Sequence, residues 1–370
     1  MDFASLELPK TWGVNQIRAV YAFTKKPRHL NIPEGTLLPF LPMETIPIGR
    51  VHVSTFEERA ISKLTSGTYI ENGDLLVAKI TPSFENGKQA IVGWNRPFGY
   101  ATTEVIPLQE IEGVSDKYFL FHLLLHPEIR SGLAGKMDGT TGRQRLSKEV
   151  LGALVIPVPP LPEQRKIAAV LGLVQRAIEQ QERLIALTTE LKKALLHKLF
   201  TEGLRGERQK QTEIGPVPGS WEVKPLGEYL TEAQYGISAK GAETGLFAVL
   251  RMTNQQDGKV SSANLQYVEL TPARFAKFRV ERHDILFNRT NSLELVGRTA
   301  IFDLEGDFVF ASYLIRLRTD CTRLRPSFLN HYLNWDQTQV RLKSIATRAV
   351  SQSNISATRL RFFYPCPIAN

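Results

Sequence analysis

The chain has 370 residues, 42% of them apolar, with 46 Lys and Arg against 37 Asp and Glu and a formal charge of +9, which allows two packed domains and excludes a disordered chain. The longest apolar-rich run, Tyr118–Leu125, is interrupted by His122 and too short to span a bilayer, and Met1-Asp2-Phe3-Ala4-Ser5 lacks the features of a signal peptide, so a soluble, cytoplasmic protein is expected. Two cysteines, Cys321 and Cys366, exclude a disulfide framework and a cysteine zinc site, while the basic balance (17 cations to 16 anions over 1–158, 10 to 6 over 159–210, 19 to 15 over 211–370) suits a polyanionic partner.

The predicted elements start with strands over Asp74–Ile80 and Lys88–Gly93, then a helix over Tyr118–Leu125 and a polar, small-residue loop over Gly135–Gly142. Pro159-Pro160-Leu161-Pro162 is a stop, with Pro162 suited to a first helical position. From Glu163 to about Thr201 there is no proline and one glycine, Gly172. Ile167, Leu171, Val174, Ile178, Ile185, Leu191, Leu195 and Leu199 form an apolar stripe at helical spacing. Lys192, Lys193, His197 and Lys198 suit the last turns, and Gly203 supplies the stop. At about 1.5 Å per residue the helix would be roughly 60 Å long, more than one small core requires, and its stripe calls for a partner helix. Strands follow over Leu246–Met252, Ile285–Arg289, Gly297–Phe302 and Tyr313–Leu317, then a helix over Phe328–Trp335 and a polar loop over Thr347–Ser353.

The order is duplicated. Pro9-Lys10-Thr11-Trp12 recurs as Pro218-Gly219-Ser220-Trp221, and Gly73-Asp74-Leu75-Leu76 as His283-Asp284-Ile285-Leu286. Phe119-Leu120-Phe121-His122 recurs as Phe328-Leu329-Asn330-His331, Gln144-Arg145-Leu146-Ser147 as Ser353-Asn354-Ile355-Ser356, and Pro157-Val158-Pro159 as Pro365-Cys366-Pro367. Five collinear matches at a period of about 209 residues mark an internal duplication. The fold class expected is α/β: two duplicated mixed domains joined by a long α-helix, a coiled-coil-type spacer.

Pro159 to Ala168 (PPLPEQRKIA), the helix after it, His283 to Asn291 (HDILFNRTN) and Gln352-Ser353-Asn354-Ile355-Ser356 resemble the specificity subunit of type I restriction–modification enzymes. The resemblance runs the length of the chain. It implies target-recognition domains at 1–158 and 207–370, each reading half of a bipartite DNA site, and a helix at 159–206 that sets the spacing and docks partners. It implies two methyltransferase (M) subunits bringing S-adenosylmethionine for adenine N6 methylation, and restriction (R) subunits working with ATP and Mg2+. No cofactor is expected on this chain. In the family a second long helix pairs antiparallel with the first. The period would place it from about 370 to about 415, so the stripe here is expected to self-associate or to be covered by partners.

Phosphates are expected to meet Lys and Arg, and base edges Arg, Lys, Asn, Gln, Ser and Thr. In the first domain this points to Lys79, Thr81, Ser83 and Lys88, and to Arg143, Gln144 and Arg145 beside Gly139-Thr140-Thr141-Gly142. In the second it points to Arg289, Thr290, Asn291 and Ser292, to Arg348, Ser351, Gln352 and Asn354, and to Tyr235, Lys240, Arg251, Thr253 and Asn254. There is no Walker phosphate loop, no dinucleotide-binding loop and no Asn/Asp-Pro-Pro-aromatic segment, and the seven histidines lack metal spacing. No catalytic or metal-binding residue is expected. A DNA-independent scaffold is the competing reading, separable by salt titration.

Overall fold

The computed structural model describes residues 8–140, 142–348, 352–362 and 366–369, and divides into two units at Ile185/Ala186. Thr141 and Ser351 lie outside the described residues.

Unit one is built on a five-stranded sheet in the order Tyr21–Phe23, Val105–Glu110, Leu75–Ala78, Gln89–Val92, His52–Val53. The first four strands pair antiparallel and His52–Val53 joins parallel. Leu75, Leu76, Val77 and Ala78 are all buried because both faces are covered. Leu75 and Val77 pack against Leu120, Phe121 and Leu124 of the helix Lys117–Leu124, whereas Leu76 joins Leu41, Val92 and Trp94 on the other side. That helix starts where Asp116 accepts from Phe119 N–H at 2.8 Å. A second sheet runs Glu57–Ala60, Leu37–Leu41, Phe98–Ala101, Thr68–Glu71.

Unit two repeats this plan. Its six-stranded sheet runs Leu230–Tyr235, Leu314–Thr319, Ile285–Asn288, Thr299–Ile301, Lys259–Val260, Gln255–Gln256. The registers recur: Leu75 faces Ile91 and Leu108, and Ile285 faces Ile301 and Leu317, advances of 210, 210 and 209. The parallel pair Phe40/Tyr100 returns as Ala248/Phe308, each 208 residues on. The antiparallel pair Gly13–Gln16 with Val155–Val158 returns as Trp221–Lys224 with Cys366–Ala369. The turn at Gly73 (φ +91°) becomes His283 (φ +74°), a left-handed position held by a side-chain-bearing residue.

The long helix spans Leu161–Glu202, two residues earlier and one later than the apolar pattern predicts. It ends at Gly203, with φ +68° and no room for a Cβ, which would lie 2.9 Å from the Pro218 side chain. In unit one its packed positions are Gln164, Ala168 and Gly172, all buried. In unit two, Phe200 is buried against the rings of Phe328, Tyr332 and Trp335 at 5.3–5.4 Å. The predicted stripe is a different face. Leu171, Val174, Ile178, Leu191 and Leu195 are exposed, as is Ile185, while Ile167 and Leu199 are half-buried.

Candidate nucleic-acid interface

In unit one, chain continuity places Lys79, Thr81, Ser83 and Lys88 on the loop between two central strands. The exposed hairpin Asp138–Thr140/Arg143–Arg145 lies against it. Leu146 N–H donates to the Lys79 carbonyl at 2.7 Å and Thr81 N–H to the Gln144 carbonyl at 3.0 Å. Candidates some 60 residues apart in sequence are therefore joined by backbone bonds. Their side chains differ in availability. Arg145 forms a fork on Glu104, with Nε and Nη2 at 2.8–3.2 Å, and this holds the Glu104 carboxyl below its usual range. Lys88 Nζ donates to the Met43 carbonyl at 2.8 Å, and Thr81 Oγ1 to Glu85 at 2.9 Å. Arg143 is exposed, and Gln144 and Ser83 are half-buried.

Unit two builds its counterpart on the same bonds. Lys79 N–H donates to Glu104 and Arg289 N–H to Tyr313, at 2.9 and 3.0 Å. The bond from Leu146 to Lys79 becomes one from Ile355 to Arg289 at 2.9 Å. Thr290–Asn291, Ser353–Asn354 and Thr347–Arg348 form a small antiparallel sheet. Asn354 Nδ2 donates to Thr290 Oγ1 at 2.6 Å. The Arg289 guanidinium lies 4.7 Å from the Tyr235 ring centre, and Tyr235 Oη accepts from Ala357 N–H at 2.8 Å. Asn291 Nδ2 contacts Met252 Sδ at 3.1 Å, which brings the Arg251 segment alongside.

The remaining candidates differ in availability. Asn254 is buried, and its amide donates to the Ser261 and Ala263 carbonyls at 3.1 and 2.8 Å, so it holds a turn and is withdrawn as a base-contacting residue. Arg251 Nη2 is spent on the Asn264 carbonyl at 2.7 Å. Lys240, Thr253, Gln352 and Arg348 are exposed. One cation was missed. Asn288 N–H donates to the Arg298 carbonyl as Ala78 N–H does to that of Lys88, so Arg298, which is exposed, is the counterpart of Lys88. Adding the 210-residue period to Lys88 would have found it.

His122 and His331 occupy matching helices, and burial holds both imidazoles below the ordinary histidine range, aided at His331 by Lys192. Among the described residues, no group of three or more His, Cys, Asp and Glu could hold a metal ion, and no helix is long and apolar enough to cross a membrane.

The family model for the type I restriction modification DNA specificity domain matches residues 45–189, which hold the loop, the hairpin and the start of the long helix. Over that stretch the chain is similar to the type I restriction–modification specificity subunits. Among these, a Methanocaldococcus jannaschii protein assigned as the MjaX specificity subunit is 34% identical over 158 residues, 42% of this chain and 37% of its own length. The StySPI specificity subunit of Salmonella potsdam is 20% identical over 372 residues, 96% of this chain and 78% of its own. The chain thus spans little more than a third of the M. jannaschii specificity subunit. A solved type I S subunit from M. genitalium shares the fold, with a TM-score of 0.58 at 17% identity over 99% of this chain and 87% of its own.

Proposed function

We propose that this chain is the non-catalytic subunit that selects DNA for a type I restriction–modification enzyme. It binds double-stranded DNA at a bipartite site, one half met by each unit. Through the long helix it positions two M subunits, which carry S-adenosylmethionine, for adenine N6 methylation, and R subunits with ATP and Mg2+ for cleavage. The observation that carries this reading is the polar loop-and-hairpin patch built twice on one set of backbone bonds, around Lys79 and around Arg289. A duplicated frame with different side chains suits two readings of one polymer. The test is N6-methyladenine mapping in cells expressing the cognate M subunit, with and without this chain. A new split motif is expected; no new methylation from a soluble, M-bound chain would overturn the reading.

A second assembly is favoured by the exposed face of the long helix. Leu171, Val174, Ile178, Leu191 and Leu195 are 42–66% exposed, an apolar stripe that association would cover. In that form two copies pair through the helix, and a gapped palindrome replaces the asymmetric split motif. A monomeric mass at micromolar concentration would sink it.

A further inference from the structure

We propose, resting on the DNA reading above, that Arg289 is a guanine-reading residue of the half-site met by unit two. Its backbone is fixed on both sides, by Arg289 N–H to the Tyr313 carbonyl at 3.0 Å and Ile355 N–H to the Arg289 carbonyl at 2.9 Å. Its guanidinium is held by the Tyr235 ring at 4.7 Å and by the Nη1 bond to the Ser312 carbonyl at 3.1 Å. Tyr235 is anchored in turn through the bond from Ala357 N–H to its Oη at 2.8 Å. A guanidinium placed in this way loses little freedom on binding.

The remaining donors define the ligand. Among the described residues Nε is buried without a partner, so it is not offered to solvent. Nη1 has one hydrogen left, and Nη2 has no hydrogen-bond partner among the described residues. The donors left for a ligand are therefore Nη2 and the second hydrogen of Nη1, which suit a pair of acceptors. In the major groove guanine alone sets two acceptors side by side, O6 and N7, whereas adenine pairs an acceptor with a donor and thymine offers one acceptor beside a methyl group. A phosphate also accepts a fork, but the two strands of the small sheet nearest Arg289 carry the neutral Thr290, Asn291 and Asn354, and the sheet's cation, Arg348, lies on the far strand. Lys79 occupies the same place in unit one, held by the same two backbone bonds. An ammonium is a point charge that cannot make this fork, so the two half-sites differ at the corresponding position.

The experiment selects bound duplexes from a randomised pool using the full chain and its Arg289→Lys and Arg289→Ala variants, with circular dichroism melting as a check on folding. The wild-type chain is expected to enrich a split motif with an invariant guanine in one half. In Arg289→Lys that guanine's preference should fall by about 5- to 150-fold while the other half-site is unchanged. An unaltered motif in both variants overturns the assignment. So does a uniform loss of affinity in Arg289→Ala that Lys restores, which would mark a phosphate contact. If the wild-type chain enriches no sequence, the DNA reading itself falls and takes this assignment with it. If Arg289→Ala does not fold, Arg289→Lys alone decides.

Discussion

Asp74 and Asp284 show how one duplicated residue can be satisfied in one copy and strained in the other. Both are buried, and both accept from the backbone N–H three residues earlier, of Glu71 and Glu281, at 2.8 Å. Asp284 also receives Arg318 Nε and Nη2 at 2.8 and 3.1 Å. Asp74 has no such cation: the position matching Arg318 is Gln109, and Asp74 Oδ1 has no partner among the described residues. Burial therefore pushes the Asp74 carboxyl up from 3.8 to about 6. The folded form holds this proton more tightly than the unfolded form, so the contribution is full at low pH and is lost as pH rises from 3.8 to about 6. Gln109→Arg should supply the missing guanidinium, lower the Asp74 pKa and add about 1–3 kcal/mol at pH 7.5 with little gain at pH 4. Urea unfolding of unit one at the two pH values measures it; equal effects at both would show that the carboxyl is not the cause.

The long helix joins two kinds of position only a few residues apart. Gln164 is 1% exposed; its amide donates to the Pro159 and Val114 carbonyls at 2.8 and 3.1 Å, and its oxygen accepts from Asp116 N–H at 3.0 Å. Gln164→Ala leaves these groups unpaired and should cost unit one about 2–4 kcal/mol. Leu171 is 42% exposed, so Leu171→Ser should change the stability of dilute protein by no more than about 0.5 kcal/mol while weakening any association through that face. Denaturation of both variants across a hundredfold range of protein concentration separates packing from assembly. The existence of the helix was legible, because Pro162, the apolar repeat and Gly203 mark its start, body and stop. Its packed face was not. The contacts to unit one are made by a glutamine, an alanine and a glycine, which an apolar count passes over, while the leucines face outward. The same limit applied at the interface. Arg251 and Asn254 have the right side chains, but only the fold reveals that carbonyls already occupy them.

At the scale of the whole chain, the sequence repeat is a repeat of strand register. Matching pairs advance together by 208–210 residues in both sheets, so insertions are confined to loops and the period survives. Each unit therefore brings its own polar patch, and a chain of net charge +9 has cations in both. Duplex binding should weaken steeply with salt, because each neutralised phosphate releases counterions, about 0.9 per contact on a logarithmic scale. Arg143 and Arg348 are exposed hairpin cations, one in each unit, and unlike Arg145 neither is held in an ion pair among the described residues. Replacing either with Ala should lower affinity for all sequences alike and reduce the salt slope by about one, leaving the selected motif intact. Fluorescence anisotropy from 50 to 300 mM KCl on matched and scrambled duplexes reads both quantities. If Arg143→Ala and Arg348→Ala left the slope at its wild-type value, the loop-and-hairpin patches would lie away from the DNA. The basic surface would then have to be sought along the helix, where residues 159–210 carry 10 cations against 6 anions.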